Sequence, residues 1–168
     1  MLMGPRDVAD VSSTEGFIDL GAVLLAPVDG VEVQVQADQD SGAVAAVTVI
    51  RGNAALSVVA FAAPKSGGLW DHVRAELIEQ VSAAGSSFEE RNGQFGPELI
   101  TTVPTQGPDG ANVMQEARFL GFDGPRWFCR CVLFGDAVHG DVLDDVVNGL
   151  VVNRGSDAMA MGAQLPMR

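Results

Sequence analysis

The stretch Val31-Glu32-Val33-Gln34-Val35-Gln36 decides the fold: valine alternates with a charged or amide side chain at period two. That pattern is a strand with one apolar and one polar face. Asp38-Gln39-Asp40-Ser41-Gly42 follows as a turn cluster, then a run of strand formers from Ala43 to Ile50. Gly52-Asn53 fits a two-residue hairpin turn, and Leu56, Val58 and Ala60 continue the alternation. With the cluster 38–42 as a five-residue loop, Val35 faces Ala45, Val33 faces Val47 and Val31 faces Val49. The Gly52-Asn53 turn sets Leu56 opposite Val49, Val58 opposite Val47 and Ala60 opposite Ala45. Both loops place the apolar residues on one side, and a one-residue slip would turn a strand inside out. A three-strand antiparallel meander is therefore expected over residues 31–61.

After a break at 64–68 the period changes. Trp70, Val73, Leu77, Ile78 and Val81 recur at helical spacing, with Asp71, Arg74, Glu76, Glu79 and Gln80 on the opposite side. Ser66 is the expected N-cap and Gly85 the expected stop. Shorter strands are read at 87–91 and 98–103, before the turn Gly107-Pro108-Asp109-Gly110. A hairpin from Ala111 to Phe134 is expected next, with Gly121 to Pro125 as a five-residue loop that sets Glu116 opposite Arg130. Asp141 is expected to cap a short second helix through Leu150, with Asp144 and Asp145 at its positive end, and Val151-Val152 to start a last strand. The fold class is α+β: a mainly antiparallel sheet with one long amphipathic helix packed on it and a short second helix. The expected division is an irregular segment 1–15, an α+β domain 16–154 and an irregular tail 155–168.

Composition supports a folded chain. Of 168 residues, 47% are hydrophobic and 19% charged, which excludes a disordered class. The net charge of −12 argues against nucleic acid or an anionic membrane as the main partner, since both need clustered cations. No stretch approaches a membrane span, and the N-terminal residues do not read as a signal peptide, so a cytoplasmic location is expected. Cys129 and Cys131 point to one side of an extended segment, where a bridge would strain the backbone, and read as reduced core residues.

Catalytic constellations are sparse. The chain has no phosphate-cradling Gly-Lys-Ser/Thr loop, no dinucleotide fingerprint and no nucleophile elbow. It contains no tyrosine. His72 and Glu76 read as an exposed ion pair, His139 as a solvated loop residue, and the aspartates 141, 144 and 145 as helix-capping groups. No catalytic residue, metal ligand or cofactor is expected. The chemically unusual face is Arg126, Phe128, Arg130, Val132 and Phe134, which interleaves the residue types of binding hot spots. It motivates a non-enzymatic protein-binding or accessory domain, with a protein partner or a second copy of the chain, as a homodimer, on that face. The alternative is a small-ligand binder or an enzyme, with a pocket near His139, Arg118 and Trp127.

One resemblance covers nearly the whole chain. Gly4-Pro5-Arg6-Asp7, Ile18-Asp19-Leu20-Gly21, Phe61-Ala62-Ala63-Pro64-Lys65, Leu69-Trp70, Phe95-Gly96-Pro97-Glu98-Leu99, Gly107-Pro108-Asp109-Gly110 and Gly124-Pro125-Arg126-Trp127-Phe128 stand in the order found in an actinobacterial family. The chain resembles this family, domain of unknown function 3710. The resemblance implies a bacterial cytoplasmic protein and supplies no activity, cofactor or site residue. The tail around Met159 to Pro166 departs from the more proline-rich stretch of the family. The element order is also similar to the Mog1/PsbP-type α+β sandwich, a fold often used for binding.

Overall fold

The structure is a computed structural model. It describes residues 5–11, 15–19, 23–26, 30–37, 44–63, 68–93, 95–106, 110, 112–124, 126–140 and 142–153. In chain order the strands and helices are β1 (Arg6–Asp7), β2 (Ile18–Asp19), β3 (Val23–Leu25), β4 (Glu32–Ala37), β5 (Val44–Arg51), β6 (Ala54–Ala62), α1 (Leu69–Ala83), β7 (Phe88–Gly93), β8 (Gly96–Gln106), β9 (Asn112–Gly124), β10 (Trp127–Gly135), α2 (Asp144–Asn148) and β11 (Val151–Val152). Seven strands form one antiparallel sheet in the order β4-β5-β6-β10-β9-β8-β7, and four short ones form a second in the order β1-β11-β3-β2.

The valine meander forms as β4–β5–β6. Leu56 pairs with Val49 and Val58 with Val47, the register that the Gly52-Asn53 turn requires, and Gly52 adopts φ 58°. Across β4 and β5, Val33 pairs with Val49 and Val35 with Val47, two residues from the expected register. An even shift keeps every side chain on its face. The turn 38–42 itself lies outside the described residues, as does Ser66.

Both faces of the large sheet are covered. On one, Val47, Val49, Leu56, Val58, Leu120, Cys129, Cys131 and Leu133 meet Val23, Leu25, Leu143, Val147 and Leu150 from the small sheet and the α2 region. On the other, α1 lays Trp70 over Leu99, Ala117, Phe119, Phe128 and Val132. The Trp70 and Phe128 ring centroids are 6.3 Å apart. Gly121 makes this closeness attainable: a Cβ there would lie 2.3 Å from the Trp70 ring.

The N-terminus of α1 departs from expectation. Its N-cap is Gly68 at φ 76°, with no capping side chain of its own. Asp123 of β9 supplies the acceptor, taking the Leu69 amide at 2.8 Å and the Trp70 amide at 3.3 Å. A carboxylate there also suits the positive end of the helix. The other end follows the sequence: Gly85 at φ 77° donates to Ser82 O while the Ser86 amide donates to Val81 O, the Schellman arrangement.

The β9–β10 hairpin needs correction. Trp127 pairs with Gly124 and Arg130 with Gly121, so the loop is two residues rather than five and Glu116 does not face Arg130. Face matching cannot select this register, because β10 is apolar on both sides. The register instead seats an indole on a glycine: a Cβ at Gly124 would lie 2.1 Å from the Trp127 ring. Arg126 in the turn takes φ 65°, a conformation that favours glycine. The N-terminal segment is also more ordered than expected. β1 pairs in parallel with β11, and Trp127 Nε1 donates to Asp7 Oδ1 at 2.8 Å. Residues 154–168 lie outside the described residues.

Candidate functional site

Charge inside the protein concentrates at one place. Glu98, Arg118 and Asp144 are 1, 3 and 4% exposed. Neighbouring strands put Arg118 of β9 and Glu98 of β8 on the face covered by the small sheet, and the first residue of α2 is Asp144. Arg118 Nε donates to Glu98 Oε2 at 2.9 Å, and its Nη1 donates to Asp144 Oδ1 at 3.1 Å. The same Nη1 lies 3.3 Å from the carbonyl oxygens of Ala137 and Gly140. The second Glu98 oxygen accepts from Arg91 Nε of β7. One buried carboxylate thus holds two guanidinium groups. Gly93 leaves room for it: a Cβ there would lie 2.7 Å from Glu98 Oε2.

These residues line a cleft of about 470 Å³, together with Asn92, His139 and Gly140, a volume within the usual range for small-molecule sites. At its mouth His139 Nε2 sits 2.9 Å from Glu116 Oε2, both side chains more than half exposed. A second groove, of about 370 Å³, runs between the later turns of α1 and β8–β9; its lining, with Leu77, Val81, Val103 and Phe119, includes no charged residue. Of these two, the first cleft is the one with converging polar groups among the described residues. Among the described residues no cluster of histidine, cysteine, aspartate and glutamate is arranged to hold a metal ion.

Of the residues expected to share a pocket, Arg118 and His139 do. Trp127 does not: its ring belongs to the core beside Cys129. Glu98, Arg91 and Asp144 were not expected in a site. The available signal was Arg118 itself, a charge inside the run Ala117-Arg118-Phe119-Leu120 that requires a buried counter-charge. Asp144 and Asp145 stand in the first turn of α2, as expected, and in addition Asp144 pairs with Arg118 and Asp145 with Arg51 at 3.0 Å. Leu143 is the N-cap of α2, without a capping side chain, and Asp141 lies outside the described residues.

The hot-spot face is divided. Phe128 and Val132 are 2 and 8% exposed beneath α1, because the apolar side of that helix needs an apolar floor. Phe134 and Arg130 are half-buried, and Arg126 is exposed. The Arg130 guanidinium stands 5.5 Å from the Phe61 ring centroid, and its Nε is buried without a hydrogen bond. Burial lowers its pKa, an effect opposed by Cys129 and Cys131. The cysteines are free and fully buried. The pKa of Cys131 is raised well above the ordinary thiol range, first by its hydrogen bond to Cys129 and then by burial and the charge of Cys129; Arg130 opposes this. His72 and Glu76 form the expected exposed pair at 3.2 Å.

No described helix is long and apolar enough to cross a membrane. No curated protein matches the sequence. A crystal structure from Bacteroides thetaiotaomicron is similar in part, with 11% identity and a TM-score of 0.49 over 82% of this chain and 47% of that one. The chain thus spans about half the length of that protein. The model of the family described as "Protein of unknown function (DUF3710)" matches residues 4–168. The chain belongs to that family.

Proposed function

We propose that this domain binds a small molecule in the cleft above Arg118. The observation that supports this reading is a buried arginine fixed by carboxylates on two elements, with its remaining edge turned to a cleft of small-molecule size. Such preorganised polar groups in a concave site are what small-ligand recognition requires. The test is a fragment screen by NMR on the full chain. Hits that shift His139, Asn92 and Gly140 support the reading; a screen whose hits perturb only α1, or that yields none, refutes it.

A second reading keeps the domain as a cytoplasmic, protein-binding accessory. It is favoured by Arg126, in the turn before β10, and by Arg130 and the half-buried Phe134 further along that strand, in a chain whose acidic residues number 22 against 10 basic ones. The occupant is a second copy of the chain, whose α1 offers exposed Asp71, Glu76 and Glu79. Light scattering of the wild type and of Phe134→Asp decides it: a dimer lost in the variant supports this reading, and a monomer in both ends it.

A further inference from the structure

We infer that the cleft recognises an oxyanion, a carboxylate or phosphate group on a small molecule; this rests on the ligand-binding reading above. The inference comes from counting donors against acceptors. Both oxygens of Glu98 are taken, one by Arg91 Nε and one by Arg118 Nε. Asp144 accepts from Arg118 Nη1, as do the carbonyl oxygens of Ala137 and Gly140. The acceptors around the arginines are therefore engaged, but the donors are not exhausted. Arg118 Nη2 hydrogen-bonds to none of the described residues, although the side chain is only 4% exposed and lines the cleft. The Arg91 Nη1 and Nη2 groups likewise bond to none of them, and that side chain is 35% exposed. Asn92 adds no side-chain donor here: it shares the other face of β7 with Glu90, which pairs with Arg74 of α1. An edge rich in N–H groups selects a ligand group rich in lone pairs, and two guanidinium planes suit the paired oxygens of a carboxylate or phosphate.

Charge at the cleft floor is neutral, and the exposed Glu116 carboxylate at the mouth lies against His139 at 2.9 Å. Arg91 and Arg118 are balanced formally by Glu98 and Asp144, so an arriving anion meets no net negative charge at the floor. The carboxylates also keep the guanidinium groups in place before binding, which reduces the ordering cost of association. Glu98 is a positioning residue here: it takes the Nε edges and leaves the Nη edges for the ligand.

The test is calorimetric titration of the full chain at constant low salt with four probes: benzoate, phenyl phosphate, neutral benzamide and cationic benzamidine. The variants are Arg91→Gln and His139→Asp, both at the cleft mouth. Saturable binding of benzoate or phenyl phosphate is expected, with whichever binds tighter identifying the group. Both variants should weaken it by about tenfold or more, His139→Asp because a like charge facing the ligand is strongly unfavourable. Equal affinity in wild type and variants overturns the inference. Binding of benzamide or benzamidine without either oxyanion also overturns it but leaves a ligand-binding cleft standing. No binding of any probe up to about 10 mM, where a millimolar complex would already register, overturns both.

Discussion

Replacing Gly121 by alanine tests the seating of α1 on the sheet. The new methyl carbon would lie 2.3 Å from Cδ2 and Cε3 of Trp70, whereas carbon atoms in contact rest about 3.5–4.0 Å apart. Relief requires the indole to move by roughly 1 Å or more. The ring is not free to do so. Its Nε1 donates to Pro97 O at 2.9 Å, its backbone amide is held by Asp123, and its face lies against Phe128. Overpacking of this kind costs about 1–3 kcal/mol, and weakening the indole hydrogen bond adds about 1 kcal/mol. We expect a loss of about 2–4 kcal/mol, a large part of the 5–15 kcal/mol typical of a whole domain. Guanidinium denaturation followed by tryptophan fluorescence measures it, and Trp70 should become more exposed in the variant. A change below about 0.5 kcal/mol, the scatter of ordinary surface substitutions, would refute the close seating.

Other outcomes follow from the same contacts. Arg118→Met removes one of the two guanidinium partners of buried Glu98 and the ion pair of buried Asp144, and should destabilise by about 3–5 kcal/mol, read by urea denaturation. Arg130→Met replaces a half-buried guanidinium whose Nε lacks a partner, and should leave stability unchanged or raise it by up to about 1 kcal/mol in the same assay. Cys129 and Cys131 should resist a thiol reagent in the native protein and react after denaturation, because both are fully buried. The pKa of Cys131 is higher folded than unfolded, so its contribution is complete below the unfolded value, near 9.0, and is lost as pH rises through the folded one. Denaturation midpoints of Cys131→Ala should therefore decline less than those of the wild type above that pH.

The sequence foretold the parts of this fold that depend on alternation against a single apolar face. Val33, Val47, Val49 and Val58 share one side because any odd shift of register would expose them, and a shift of two residues changed nothing that the core senses. The helix from Leu69 likewise followed from its period. Where both faces are buried the argument loses its hold. Strand β10 offers Cys129 and Cys131 to one layer and Phe128 and Val132 to the other, so alternation is silent about its partner. There the glycines decide, since Gly121 and Gly124 each receive an indole. The covering of Phe128 by α1 was hidden for the same reason: the residue types of a binding face and of a second core are alike. In the candidate site, Arg118 and His139 were visible as unusual residues. Glu98 and Arg91 were not, because their meeting depends on the pairing of β7 with β8 and of β8 with β9.

The central claim is that Arg118 is locked by its Nε and Nη1 groups while its Nη2 edge stays open to a ligand. Side-chain NMR of the arginine guanidinium groups, recorded with and without phenyl phosphate, addresses it directly. The account predicts separate, slowly exchanging Nη signals for Arg118, with the ligand moving Nη2 and leaving Nε nearly in place. A single averaged Nη signal, unchanged by the ligand, would contradict it.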